Sequence, residues 1–227
     1  MNKTAIKAKL VRQACKAILG GPPPEDPFAS WFGRVRVGHR TEPWPTFGGK
    51  PMMGLCQIKV AELPFVPDRL ADIALITVFI RQDDIPDDNS RNGEQWLLRA
   101  YPAIDGLSVV EEPKVHGIKP MPIKWELVKE DYPTWDEASG MDVPEEIADD
   151  YDDDFENVAA TKVGGWPSTI QGELSWGSMT QSAEPEFLFQ FNSEEKAQWQ
   201  WADAGCAYFG RGTGGASAVW TFTWQNY

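Results

Sequence analysis

A short motif that occurs twice constrains the fold of this chain more than any other feature. Residues 162–171 read KVGGWPSTIQ, and a weaker version of the pattern lies upstream at residues 32–45. Each copy is followed by an apolar segment with a glutamine in its middle, Gln57 in the first copy and Gln190 in the second. Two copies of one pattern predict an internal duplication, which limits the topology but does not reveal the chemistry.

Composition and hydrophobic periodicity favour short strands joined by rigid turns over long helices. The 227 residues can form one domain with a substantial core, and 18 prolines oppose long helices. We expect an internal duplication of two β-rich halves, at residues 28–112 and 160–227, within a single domain over residues 28–227. Strands are predicted at residues 31–37, 52–60, 73–81, 95–100, 107–111, 118–129, 187–191, 206–209 and 219–224.

Residues 1–27 are predicted to form an N-terminal amphipathic helix and a proline-rich hinge. Apolar side chains recur at four-residue spacing, at Ile6, Leu10, Ala14 and Ile18. This spacing predicts a helix over residues 3–19, which the glycines and prolines at 20–24 stop. A basic amphipathic helix either packs on its own domain or binds an anionic membrane. We expect packing on the domain and no membrane partner.

The net charge of −13 is concentrated in one segment. Residues 130–156 contain thirteen acidic side chains and no lysine or arginine, whereas the rest of the chain has 21 acidic and 21 basic side chains. We interpret residues 130–157 as an acidic insertion between the two halves. Because nucleic-acid binding needs a basic footprint, we expect no nucleic-acid partner.

No catalytic residue, metal site or cofactor is predicted. The histidines, His39 and His116, lie outside any recognisable motif, and the chain has no nucleophile elbow, zinc-protease motif or phosphate-binding loop. The acidic run at residues 149–156 lacks the glycine and the glutamate that an EF-hand loop requires at fixed positions. This run is therefore a solvated loop, a partner surface or an adventitious cation site.

The cysteines and the absence of an apolar span predict a cytoplasmic protein. Cys15, Cys56 and Cys206 are far apart and few, which is typical of buried free thiols in a reducing compartment. Charge recurs through the N-terminal segment, so that segment does not read as a signal peptide. No apolar run is long enough to cross a bilayer. The sequence does not predict an oligomeric state.

The second half carries three short motifs, GGWP at residues 164–167, LFQF at 188–191 and WADAG at 201–205. With them the chain resembles the YwqG-like family, bacterial domain of unknown function 1963, over about residues 28–227. Arg34 stands where the first copy of the family pattern has a second glycine. The resemblance implies an α+β domain with antiparallel sheets and an internal duplication. It brings no catalytic residues, but some members look like immunity proteins encoded beside bacterial toxins.

Our first functional hypothesis is an immunity protein that neutralises a basic toxin domain. Carboxylates steer a basic partner during encounter, and buried aromatic side chains supply much of the affinity of an interface. An acidic, aromatic-studded surface therefore suits such a partner. The predicted partner-binding residues are Trp135, Asp149, Asp150, Tyr151, Asp152, Asp153, Asp154, Phe155 and Glu156.

A second hypothesis is a small-ligand binder or enzyme that uses a Trp/Gln-lined cleft between the two halves. The residues assigned to this cleft are Trp44, Gln57, Trp166, Gln171, Gln190, Trp201 and Asp203. The competing interpretation is that the glutamine amides tie strands and turns to backbone groups, since a buried amide must satisfy its oxygen and its nitrogen. A third hypothesis is a structural or regulatory subunit with no site of its own.

Overall fold

A computed structural model describes residues 3–88, 90–115, 117–177 and 180–227, which leaves His116 outside the described residues. The strands are β1 (Arg12–Leu19), β2 (Trp31–Phe32), β3 (Val37–His39), β4 (Thr46–Phe47), β5 (Lys50–Pro51), β6 (Met53–Lys59), β7 (Leu75–Ile80), β8 (Trp96–Tyr101), β9 (Leu107–Val109), β10 (Met121–Asp131), β11 (Lys162–Gly164), β12 (Glu186–Asn192), β13 (Cys206–Arg211) and β14 (Trp220–Gln225). The α-helices are α1 (Lys3–Leu10), α2 (Trp135–Ser139) and α3 (Tyr151–Asp154). The 3₁₀ helices are Val60–Glu62, Asp68–Leu70, Glu145–Asp150, Gln181–Ala183, Glu195–Ala197 and Gly214–Ala216.

Ten strands form one antiparallel sheet. Their order is β14-β13-β12-β11-β1-β10-β2-β6-β7-β8. Each neighbouring pair in this order is antiparallel, and β3 with β9 and β4 with β5 form two small additional sheets. The expected α+β fold with mostly antiparallel sheet is therefore confirmed.

The helix predicted over residues 3–19 is wrong in its second half. Helix α1 ends at Leu10, and Arg12–Leu19 forms strand β1 between β10 and β11 at the centre of the sheet. The residues at four-residue spacing that suggested a helix also fit a strand, because four is a multiple of the strand period of two. Pairing with a strand on each side satisfies the backbone of β1, which outweighs its local helix propensity. Residues 1–27 thus supply a central strand of the sheet.

The two ends of the strand order face each other across the main core. Trp96 of β8 contacts Phe209 of β13 and Phe222 of β14, with ring centroids 6.0 and 5.6 Å apart. Phe32 of β2 contacts Phe191 of β12 at 5.4 Å between centroids. The sheet therefore folds over, so that strands from both ends bury aromatic side chains against one another.

Gln57 is buried in the first half and uses both ends of its amide. Its Oε1 accepts hydrogen bonds from the backbone N–H groups of Arg36 (2.9 Å) and Val37 (3.2 Å). Its Nε2 donates to the carbonyl oxygens of Pro27 (2.9 Å) and Ala29 (2.8 Å). The amide joins strand β6 to the segments on both sides of β2.

Gln190 does the same in the second half. Its Oε1 accepts from the N–H of Ser168 (2.9 Å), and its Nε2 donates to the carbonyl of Ala160 (3.0 Å) and to Oδ1 of Asn192 (3.0 Å). The interpretation that these glutamines tie strands to backbone groups is confirmed for Gln57 and Gln190. Both side chains are fully buried, and each amide is occupied by groups of the chain itself.

We predict that Gln190→Leu lowers the free energy of unfolding by about 2–4 kcal/mol, because a buried N–H and a carbonyl lose their partners. Urea denaturation would measure the change as a lower midpoint with an unchanged slope. Gln171→Leu is the matched control, since this exposed side chain makes one bond at 3.3 Å to Asn226. Its effect should stay within about 0.5 kcal/mol. Equal midpoints for the two variants would contradict the role of Gln190.

Candidate functional site

A buried ion pair explains the glycine-rich motif of the second half. Asp131 and Lys162 have fully buried side chains, and Lys162 Nζ lies 2.9 Å from Oδ2 of Asp131. The N–H groups of Val158 (2.8 Å) and Trp166 (2.7 Å) also donate to this carboxylate. Burial lowers the pKa of Lys162, and the charge of Asp131 opposes that shift. The carboxylate thus holds β10, β11 and the turn after β11 together.

Gly165 is required by this arrangement. Its φ is +72°, and a Cβ at this position would overlap with the carboxylate of Asp131. Gly164 has a φ of +75°, and a Cβ added at this position would lie 3.2 Å from Cγ of Pro67. The motif is therefore a close-packed turn around a buried charge, and its conspicuous sequence reflects packing.

We predict that Asp131→Leu lowers the free energy of unfolding by about 3–5 kcal/mol, because it leaves the Lys162 charge buried without its partner. The double variant Asp131→Leu/Lys162→Met should lose less, since it contains no unpaired buried charge. Denaturant unfolding of both single variants and the double variant gives the coupling energy. Purely additive losses would show that the two charges do not stabilise each other.

The acidic segment folds into a small lobe on helix α1. We call residues 130–157 together with α1 the acidic lobe. Its core is formed by apolar side chains from both parts, namely Ile6, Leu10, Tyr132, Ala138, Tyr151 and Phe155. Tyr151 and Phe155 are each 1% exposed and stack with centroids 4.5 Å apart. Both were predicted to bind a partner; in this structure they pack against the chain's own N-terminal helix and lie inside the lobe.

Lysines of α1 neutralise part of the acidic charge. Lys3 forms an ion pair with Asp154, and Lys9 lies 3.5 Å from Asp142. The ammonium group of Lys7 lies 5.6 Å from the centroid of the Phe155 ring. These contacts attach the positively charged helix to the negatively charged segment, so the charges of the two parts are complementary.

Most carboxylates of the lobe nevertheless remain on the surface. The exposed ones are Glu130, Asp136, Asp142, Glu145, Glu146, Asp149, Asp150, Asp152, Asp153 and Glu156. Of the predicted partner-binding residues, five acids are therefore exposed, whereas Asp154 and Trp135 are half-buried. Within the described part of the chain, no group of three or more His, Cys, Asp or Glu side chains could hold a metal ion.

We predict that Leu10→Ala opens the acidic lobe without unfolding the sheet. Leu10 is 2% exposed in the lobe core, and such a truncation costs about 2–5 kcal/mol. At tenfold per 1.4 kcal/mol, hydrogen exchange should speed up by about 30-fold or more for residues 135–155, while β7 and β12 keep their protection. Val11→Ala, at a neighbouring side chain that is 37% exposed, is the control. A uniform loss of protection would show that the lobe is not a separate unit.

The remaining predicted cleft residues do not come together. Trp201 is fully buried in the main core, whereas Gln171 and Asp203 are exposed. Trp44 is half-buried, donates from Nε1 to the carbonyl of Met52 (2.9 Å) and packs on Phe79. Trp44 lines two grooves of about 290 and 310 Å³.

Trp166 lies instead beside a pocket that the sequence did not indicate. Arg12 of β1 stacks on its indole ring, and the pocket of about 440 Å³ also takes in Phe65, Arg69 and Phe187. Sequence reasoning missed it because Arg12 was assigned to a helix. A strand assignment for residues 12–19 would not have sufficed, because it is the pairing of β1 with β11 that brings Arg12 to the GGWP turn.

Two further findings concern the cysteines and the membrane. Cys15, Cys56 and Cys206 are free and buried, as expected, and burial raises the pKa of each thiol. Within the described residues, no helix has the length and apolar character to traverse a bilayer.

Comparison with known proteins gives one match. The family model described as "Domain of unknown function (DUF1963)" matches residues 35–210. This range runs from the segment after β2 to β13 and includes the acidic lobe apart from α1. No curated protein matches the chain.

Proposed function

The chain belongs to the DUF1963 family, and from that premise we propose that it binds a basic protein through the exposed carboxylates of the acidic lobe. The observation that carries the proposal is that these carboxylates stand on an ordered surface. Nine of the ten make no ion pair within the described residues: Glu130, Asp136, Glu145, Glu146, Asp149, Asp150, Asp152, Asp153 and Glu156. The lobe core holds these carboxylates in one region, so their electrostatic potentials add and attract a positively charged partner.

Half-buried apolar side chains supply contact area beside these charges. Trp135, Met141, Val143 and Ile147 pack against the lobe core while part of each surface stays open. These four side chains would then make the apolar contacts with the partner that the sequence had assigned to Tyr151. An interface of this kind gains on-rate and specificity from its charges and affinity from its apolar contacts.

We further propose that the partner is a toxin domain and that the chain is a bacterial immunity protein of the YwqG-like type acting in the cytoplasm. Support comes from the sequence resemblance and from charge complementarity. Toxins that act on nucleic acid carry basic surfaces because their substrate is anionic. An acidic protein suits that surface and can block it.

We also infer that the two halves arose by duplication. The orders β2-β6-β7-β8 and β11-β12-β13-β14 run outward from the central pair of β1 and β10. Besides the two glutamines, a hydroxyl recurs in the same role. Ser30 Oγ accepts from the N–H of Lys59, and Thr161 Oγ1 accepts from the N–H of Asn192, each at 3.0 Å. A superposition of the two strand sets that separated Gln57 from Gln190 would contradict the inference.

The test is rescue of growth from the product of the neighbouring gene. The variant Asp149→Asn/Asp150→Asn/Asp152→Asn/Asp153→Asn removes four exposed charges without disturbing the lobe core. We expect loss of rescue and an association rate that falls about tenfold or more, with a strong dependence on salt in the unmodified protein.

The matched control neutralises four exposed acids outside the lobe, in the variant Asp105→Asn/Glu111→Gln/Glu126→Gln/Glu195→Gln. It removes the same number of negative charges and should keep both growth rescue and the association rate. Equal behaviour of the two variants would mean that total charge, not the lobe, determines binding. A neighbouring product that does not inhibit growth would rule out the immunity role.

A further inference from the structure

We propose that the pocket beside Trp166 binds a small organic anion with an apolar body. We call it the Arg12 pocket. It lies where β1, the segment 65–69 and the start of β12 meet, and its volume is about 440 Å³. That volume is within the range of about 300–1,000 Å³ typical of small-molecule sites. The proposal concerns a site outside the acidic lobe and does not depend on the function proposed above.

Arg12 supplies the first cation. The carbon of its guanidinium lies 3.3 Å from the centroid of the Trp166 ring, so the two planes stack. The indole is also held at its edge, because its Nε1 donates a hydrogen bond to the carbonyl oxygen of Leu10 (2.6 Å). Arg12 has no carboxylate within ion-pair distance in the described part of the chain. Stacking leaves the edge of the guanidinium, with its N–H donors, available to a planar anion.

Arg69 supplies the second cation, and the backbone holds it in place. Its Nη2 donates to the carbonyls of Arg211 (3.0 Å) and Gly212, and its Nη1 lies 3.5 Å from the exposed carboxylate of Glu186. Its side chain is 27% exposed. Because these contacts fix the guanidinium before any ligand arrives, binding costs little ordering entropy.

The rest of the pocket wall is largely apolar. Phe65, Pro67, Phe187 and Leu188 line it. The carbonyl of Phe65 accepts a hydrogen bond from Sγ of the buried Cys15 (3.0 Å), which anchors this segment to the sheet. An aromatic or otherwise flat ligand body can therefore pack on fixed apolar groups while its charged end reaches the arginines.

The donors of Arg12 select the sign of the ligand. The charged lining residues are Arg12, Arg69 and Asp68; Glu186 pairs with Arg69, and the charges of Glu186, Glu137 and Asp131 also act on Arg12, so the pocket has no net positive excess. Recognition of an anion therefore rests on the N–H donors of Arg12, since a guanidinium offers donors and no acceptor. Carboxylate and phosphate ester groups both match the forked donors of a guanidinium. The ligand class is thus a carboxylate or phosphate ester on an apolar ring.

Calorimetric titration with phenyl phosphate, phenylacetate and the neutral analogue benzyl alcohol tests the proposal on the full chain. We expect at least one anion to bind and benzyl alcohol not to bind. Arg12→Gln should weaken binding about tenfold or more, as expected for loss of a charge-assisted hydrogen bond. Arg12→Lys should bind with intermediate strength, since it keeps the charge but loses the planar fork.

Arg40→Gln is the matched control, because Arg40 is an exposed arginine outside the Arg12 pocket. Thermal unfolding of each variant without ligand checks that the fold is kept. Binding of only one anion identifies whether phosphate or carboxylate is the recognised group. If neither anion binds, or if Arg12→Gln binds as tightly as Arg40→Gln, the proposal is wrong.

Discussion

The ion pair between Asp131 and Lys162 is the interaction on which the arrangement of the central strands depends. It lies at the end of β10 and the start of β11, the two neighbours of β1. Two charges in a dry core are costly unless each is paired and hydrogen-bonded, and here the carboxylate also accepts from two backbone N–H groups. The same carboxylate excludes a side chain at Gly165. The most conspicuous motif of the sequence is therefore a consequence of this pair.

The sequence was most informative where a segment determines its own environment. Continuous apolar runs predicted strands such as β7 and β13, because nearly every side chain in these two strands is buried. It failed for β1, whose strand conformation depends on two partners that are distant in sequence. It also failed for Tyr151 and Phe155, whose burial depends on α1, a helix that local patterns do not connect to them. Side-chain direction in such a segment is decided by tertiary contacts.

Leu10 connects the two candidate sites. Its side chain lies in the core of the acidic lobe, while its carbonyl accepts the indole hydrogen of Trp166, on which Arg12 stacks. The segment between α1 and β1 therefore contacts both an acidic surface and a basic pocket. Sequence reasoning found the charge of the first site, because it is contiguous along the chain. It could not find the second, because Arg12 and Arg69 meet only after folding.

The position of β1 also has a consequence for synthesis on the ribosome. Cys15 pairs with Leu127 on one side and with Val163 on the other, so the innermost strand is translated long before either partner. Until then its backbone N–H and C=O groups lack their native strand partners. Contacts between residues so distant along the chain slow folding, and the intermediates expose apolar surface that favours aggregation. We therefore expect the centre of the sheet to form only after β10 and β11 have been synthesised.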